Sequence, residues 1–152
     1  MLLKLLSLAG ICFLGGAVWV FNAETTVIVY GAEFGFHPFL VGLVAATAQC
    51  AMYALLFYSG GWLMTHWRWL GSKIEKARNR FADHLQERYL VATASAALIG
   101  LPPMTAMAAL GKGFQVRILR LLIVAFIFRV VRFTLLAALG FQLRAFWQGL
   151  WA

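Results

Sequence analysis

"LIGLPPMTAMAALGKGFQVR", residues 98–117, decides how many times this chain crosses an apolar layer. If the run 89–111 is a through-going span, Lys112, Arg117 and Arg120 emerge on the side opposite the basic stretch that precedes it. If the run enters and turns back at Leu101-Pro102-Pro103, both flanks stay on one side. Every basic cluster then obeys the preference of Lys and Arg for the cytoplasmic face. Proline lacks an amide donor and restricts both its own torsion and that of its predecessor, so consecutive prolines break a helix. Broken backbone at membrane depth persists only when buried in protein or lining a wet cavity. The spacing predicts a re-entrant hairpin over 89–111, with Pro102 and Pro103 at its tip.

Composition supports a membrane setting. Of 152 residues, 63% are hydrophobic and only 12% charged, and the mean hydropathy is +0.84. A soluble domain of this size needs more charge to solvate itself. The net charge is +8, but six of the thirteen Lys/Arg fall between 68 and 88 (Arg68, Lys73, Lys76, Arg78, Arg80, Arg88). That is the pattern of a cytoplasmic loop, and with no interleaved aromatic-basic groove it argues against nucleic acid. Cys12 and Cys50 lie in apolar runs, and His37, His66 and His84 stand singly, so no metal or other cofactor is expected. No nucleophile sits with a base, and no glycine loop is built for phosphate, so no enzyme is expected.

Apolar residues 5–21 are interrupted at "NAET" (22–25), and a shorter apolar piece, 26–32, follows. Phe21 stands where a signal-peptide cleavage site wants a small residue, so retention of this segment is expected. It forms either a full span or the first arm of a hairpin, and Lys4 alone does not decide between them. The longest run, 38–65, can cross a membrane, with Trp62, Trp67 and Trp69 marking its interface. Gly60 and Gly61 either allow a close helix approach or end that span. "SKIEKARNRFADHLQERYL", 72–90, places Ile74, Ala77, Phe81 and Leu85 at helical spacing. That fits an amphipathic surface helix, with a solvated helical loop as the alternative. The last span is expected from about 118 to 143, with Trp147 and Trp151 as interfacial anchors.

The two halves repeat one plan, an apolar run broken by a polar or proline tip, a short return, and a full span. From Glu24 to Pro38 is 14 positions and from Pro102 to Arg117 is 15. With one cytoplasmic loop between them, the long spans run oppositely and the repeat is inverted, as in many transporters. The expected fold is an all-α integral membrane protein and one domain over 1–152. It divides into a first repeat (1–65), a basic amphipathic segment (66–88), a second repeat (89–143) and an interfacial tail (144–152).

Arg129 and Arg132 sit in the middle of the last span, three positions apart and so on one helix face. A charge at the bilayer centre costs from about 3 to more than 10 kcal/mol and is a functional-site hypothesis by default. Either the pair is held within a static bundle, or it faces a hydrated cavity and meets an anion in transit or an intramembrane carboxylate. Of the five acids, Glu75, Asp83 and Glu87 belong to the basic segment and Glu33 lies near the first hairpin's exit. Glu24, at the first tip, is the candidate counter-charge or proton site. Gln49 and Tyr53 are candidate cavity lining, though a lone Gln in a span also serves as an interhelical hydrogen bond.

The order of these features resembles the DedA/VTT (SNARE-associated) membrane protein family, particularly its short YqaA-like branch. The residues that carry the resemblance are Glu24, "YALLFYSGGWL" (53–63), "KIEKARNRF" (73–81), "LIGLPPMTAMAALGKG" (98–113) and "FRVVRF" (128–133), within about 22–140. Matched position by position, the hairpin acid falls on Glu24, the hairpin prolines on Pro102 and Pro103, and the arginine pair on Arg129 and Arg132. The chain departs from the pattern at Phe128, where a glycine is usual, and at the first tip, which lacks a proline. Thr105 stands nearest where a charged residue often follows the second hairpin's proline.

The resemblance implies a flippase- or scramblase-like translocase of phosphate-bearing lipid, such as polyprenyl phosphate or phospholipid, with proton coupling in some members. It also implies a bacterial inner membrane location. Arg129, Arg132, Pro102 and Pro103 would then line the headgroup path. Membrane lipids are the expected partners, and so little polar surface is compatible with a homodimer. Two alternatives stay open, a small-solute or proton-coupled exporter and a non-transporting membrane assembly subunit.

Overall fold

The computed structural model describes residues 2–16, 22–66, 85–99 and 104–150. Among them are six helices and no strand: α1 (Leu2–Gly15), α2 (Ala23–Phe34), α3 (Pro38–His66), α4 (Leu85–Leu98), α5 (Met104–Leu110) and α6 (Ile118–Leu150). Two are long and apolar enough to cross a membrane, over Pro38–Trp62 and Ile118–Phe146. The 29 residues of α3 and 33 of α6 extend about 44 and 50 Å. A buried core helix of a soluble protein would hide such a surface. Here Leu119, Ile123, Ile127, Val131, Leu135 and Leu139 lie exposed at four-residue spacing along α6, a stripe suited to lipid.

Local chemistry sets the helix ends. Asn22 caps α2, its side-chain oxygen accepting from the Glu24 amide at 3.1 Å, as Asn does at helix starts. Glu24 is thereby fixed in the first turn. Gly35, with φ of 61°, closes α2 in the left-handed conformation. Pro38 then opens α3 at a position where its missing donor is harmless. Gln115 adopts φ of 56° in the turn before α6, unusual for a residue with a side chain.

The chain divides into two compact units, Met1–Met52 with Phe126–Ala152, and Tyr53–Ala125. In the first, α1 and α2 form an antiparallel pair. Ser7 and Tyr30 share a hydrogen bond of 2.7 Å, and the Lys4 ammonium lies 4.0 Å from the centre of the Phe34 ring. At 14 and 12 residues, these helices are about 21 and 18 Å long, short of a hydrocarbon core of about 30 Å. Helix α2 runs parallel to α6, with Glu24 beside Arg132 at one end and Glu33 beside Arg144 at the other. Between these points the backbones approach closely: Gly31 rests on the Ala137 backbone and Gly140 on that of Ile28. Leu8 and Cys12 of α1, Val27 of α2, Val41 and Ala45 of α3, and Phe133 of α6 fill the core.

The second unit is built around α4 and α5. The Tyr89 hydroxyl donates to the Met107 carbonyl, and its ring lies 5.3 Å from that of Phe114. Gly60 rests on the Ala109 backbone, Gly61 on the stem of Lys112, and Gly111 on Phe57. Of the two roles open to the glycine pair, close approach is the one realised, and α3 continues past it to His66. Tyr53, Thr93, Ala97, Met104 and Leu121 are buried here.

Several expected boundaries differ. Most of the expected amphipathic helix over 72–90, together with the tip at Pro102 and Pro103, lies outside the described residues. The end of that stretch starts α4, because Tyr89 is drawn into the second unit's core. The last helix passes through the expected tail to Leu150, since nothing from 143 to 150 breaks it.

The glycine contacts carry a stability prediction. Gly31→Leu and Gly60→Leu are each expected to destabilise the protein by about 2 kcal/mol or more, because a side chain there meets backbone. Gly10, with open space around it, tolerates Ala and gains up to about 1 kcal/mol from lower backbone entropy. Thermal unfolding of the purified variants in detergent distinguishes the two classes.

Candidate functional site

Arg132 and Glu24 meet across 108 positions of sequence, Nη2 to Oε1 at 2.5 Å, with side chains 16% and 39% exposed. Two local choices make this contact. The Asn22 cap starts α2 at the level of Arg132 on α6, and the cap places Glu24 in the first turn. The positive end of the α2 dipole and the Arg132 cation converge there, and the Glu24 carboxylate answers both.

Arg129, one turn back along α6, is 8% exposed. Its guanidinium carbon lies 5.5 Å from the centre of the Phe133 ring, a cation–π arrangement. It is the eleventh position after Ile118, about 17 Å along the helix and near mid-depth for a core of about 30 Å. Gln49 on α3 is also buried in this unit. Its other described acid, Glu33, lies at the opposite end of α2, so two arginines share their depth with one carboxylate.

The structure thus brings Arg132 and Glu24 into contact, with Arg129 one turn away. Tyr53 is buried within the second unit, and Pro102 and Pro103 lie outside the described residues. No group of three or more His, Cys, Asp or Glu suited to a metal occurs among the described residues.

Two features of the site escaped the sequence. The Asn22 cap was legible in principle, since Asn before an acid in a first turn is a helix-start signal. Thr134 was not. Its hydroxyl is buried beside Gly42 without a hydrogen bond among the described residues, and only the α3–α6 crossing puts it there.

No known protein family, characterised protein or solved structure matches the chain.

The ion pair and the orphan hydroxyl respond oppositely to mutation. Glu24→Gln and Arg132→Gln are each expected to destabilise, with a double-mutant coupling on the order of 1 kcal/mol or more. Thr134→Val keeps the shape and removes the unsatisfied group, so it is expected to be neutral or to stabilise by about 1 kcal/mol. Unfolding midpoints of the four variants in one detergent give both quantities.

Proposed function

We propose that the chain is a membrane lipid translocase that passes a phosphate-bearing headgroup across the bilayer while the acyl or prenyl tails stay in lipid. The observation that carries this reading is the Arg132–Glu24 pair beside buried Arg129, near mid-depth of a helix of membrane-spanning length. A lipid phosphate suits two arginines one turn apart in charge and geometry. Arginine presents a planar fork to its oxygens, and the start of α2 adds amide donors and a favourable dipole.

The short helices α1 and α2 support a re-entrant first hairpin, since neither is long enough to cross. The Arg132–Glu24 contact then lies about 18 Å further in than Arg144, twelve residues along α6. On this reading the α4–α5 pair belongs to a second re-entrant hairpin, as the motif resemblance to the DedA/VTT family, with its bacterial inner membrane setting, would imply. Glu24 holds Arg132 between passages and competes with the arriving phosphate, and it is the group through which protons would couple. Gln49, buried in the same unit as the arginines, would supply polar lining.

The direct Arg132–Glu24 bond also favours a second reading, a non-transporting membrane subunit whose ion pair only fixes helix packing. Replacing a buried ion pair by apolar residues of similar volume is often neutral or stabilising. A purely structural role therefore survives replacement of Glu24, Arg129 and Arg132 together.

Reconstitution separates the two readings. Purified chain in liposomes is expected to accelerate flipping of a labelled lipid phosphate, and Arg129→Ala is expected to lower the rate at least tenfold with helix content and unfolding midpoint preserved. An Arg129→Ala rate equal to wild type, or full activity in the triple apolar variant, would sink the translocase assignment.

A further inference from the structure

The open end of the first helical pair carries a charged cluster that the proposed transport step does not use. Lys4, near the start of α1, places its ammonium 4.0 Å from the centre of the Phe34 ring. Arg144, toward the end of α6, donates from Nη1 to the Glu33 backbone carbonyl at 3.4 Å, and its guanidinium lies against Gly35. These cations are 140 positions apart in sequence, yet both close on the last turn of α2.

Capping α2 leaves most of their binding capacity idle. An arginine carries five N–H donors and a lysine three. Among the described residues Arg144 uses one donor in a long bond, while Lys4 makes a ring contact and no hydrogen bond or ion pair from its ammonium. The nearby Glu33 carboxylate is exposed and pairs with neither, and exposed His37 follows the turn. Two fixed cations therefore face one carboxylate.

The level of the cluster names the ligand. The candidate spans begin at Pro38 and end at Phe146, so residues 33–38 and 144 sit where apolar helix meets headgroups. Aromatic rings line the same edge: Tyr30 stacks edge-on to Phe34 at 4.9 Å, and Phe36 lies 6.2 Å beyond. Rings beside Lys and Arg are the residue types that favour the headgroup region. We propose that this mouth binds the phosphate of an anionic lipid at the membrane surface. Arg144 grips the phosphate as a fork, Lys4 acts as a point charge, and the Tyr30–Phe34–Phe36 edge lies along the start of the tails. The site requires only that the chain lies in a membrane, and it goes beyond the transport reading.

Lipid retention by the full chain tests it without any transport readout. Native mass spectrometry follows the protein in detergent, titrated with dioleoyl phosphatidic acid or dioleoyl phosphatidylcholine. Wild type is expected to retain the phosphatidic acid preferentially. The Lys4→Gln/Arg144→Gln double variant is expected to lose about tenfold in apparent affinity for it, with phosphatidylcholine retention unchanged. Arg144→Lys keeps most of the binding, and the loss in the double variant is expected to be the same in an Arg129→Ala background, where the deep site no longer contributes, so failure of the mouth and failure of the deep site are distinguishable. Circular dichroism checks the fold. Should the double variant misfold, Lys4→Gln alone, at an exposed position, is expected to weaken binding about threefold. Equal retention by wild type and folded variants overturns the proposal. Displacement of the lipid by millimolar inorganic phosphate alone overturns its lipid part, assigning the site to free phosphate.

Discussion

A charged guanidinium in an apolar helix needs an anion at its own depth, and the first unit is arranged to bring one to Arg132. The anion comes from Glu24, 108 residues earlier. A partner on α6 itself would have come from the same helix face, but every residue within four of Arg132 is apolar, a threonine or the second arginine. The acid therefore has to arrive on another element that starts at the level of Arg132. That requirement explains why α2 is short, why its first turn is capped by Asn22, and why it lies parallel to α6. Removing one partner is the costly change, since it leaves the other charge uncompensated at about 3–5 kcal/mol for a fully buried pair.

Once α2 lies along α6, close packing follows. Lipid tails are as apolar as leucine, so helices in a bilayer are held by van der Waals contact and interhelical hydrogen bonds rather than by escape from water. Close contact needs small residues at the crossing, and Gly31 on Ala137 with Gly140 on Ile28 supply them. The second unit solves its own packing with the same means, Gly60 on Ala109 and Gly111 on Phe57. There the hydrogen bond from Tyr89 to Met107 ties α4 to α5, as Ser7 and Tyr30 tie α1 to α2.

The long helices were legible because hydropathy is additive along a chain: α3 begins and ends close to the expected residues, and α6 begins where expected but runs on to Leu150, past the end that hydropathy set. Glu24 was legible for a different reason. With only five acids, three of them in the basic stretch, elimination nearly identifies the counter-charge. Which arginine it meets was not legible. Arg129 and Arg132 share a helix face, and the choice depends on how far α2 is shifted along α6. That shift is set by the Asn22 cap and the glycine contacts together. The mouth was hidden for a related reason: Lys4 and Arg144 look like ordinary interfacial cations until α1 and α6 are both laid against the last turn of α2. Hydropathy reports depth, whereas these contacts depend on lateral neighbours.

The unequal environments of the two arginines bear on what the site is for. A structural ion pair is complete with one arginine and one glutamate, and a second arginine one turn away adds a charge of the same sign to a medium that penalises it. The Phe133 ring answers part of that penalty, since a desolvated cation–π contact is worth about 2 kcal/mol. An intramembrane charge starts at about 3 kcal/mol and rises well beyond. Of the first unit's described carboxylates, Glu24 lies at the level of Arg132 and Glu33 a helix length away. Under the proposed translocase reading, two arginines one turn apart beside one exchangeable carboxylate would let a phosphate take the place of Glu24 on Arg132 while it meets Arg129, so that neither arginine is left bare.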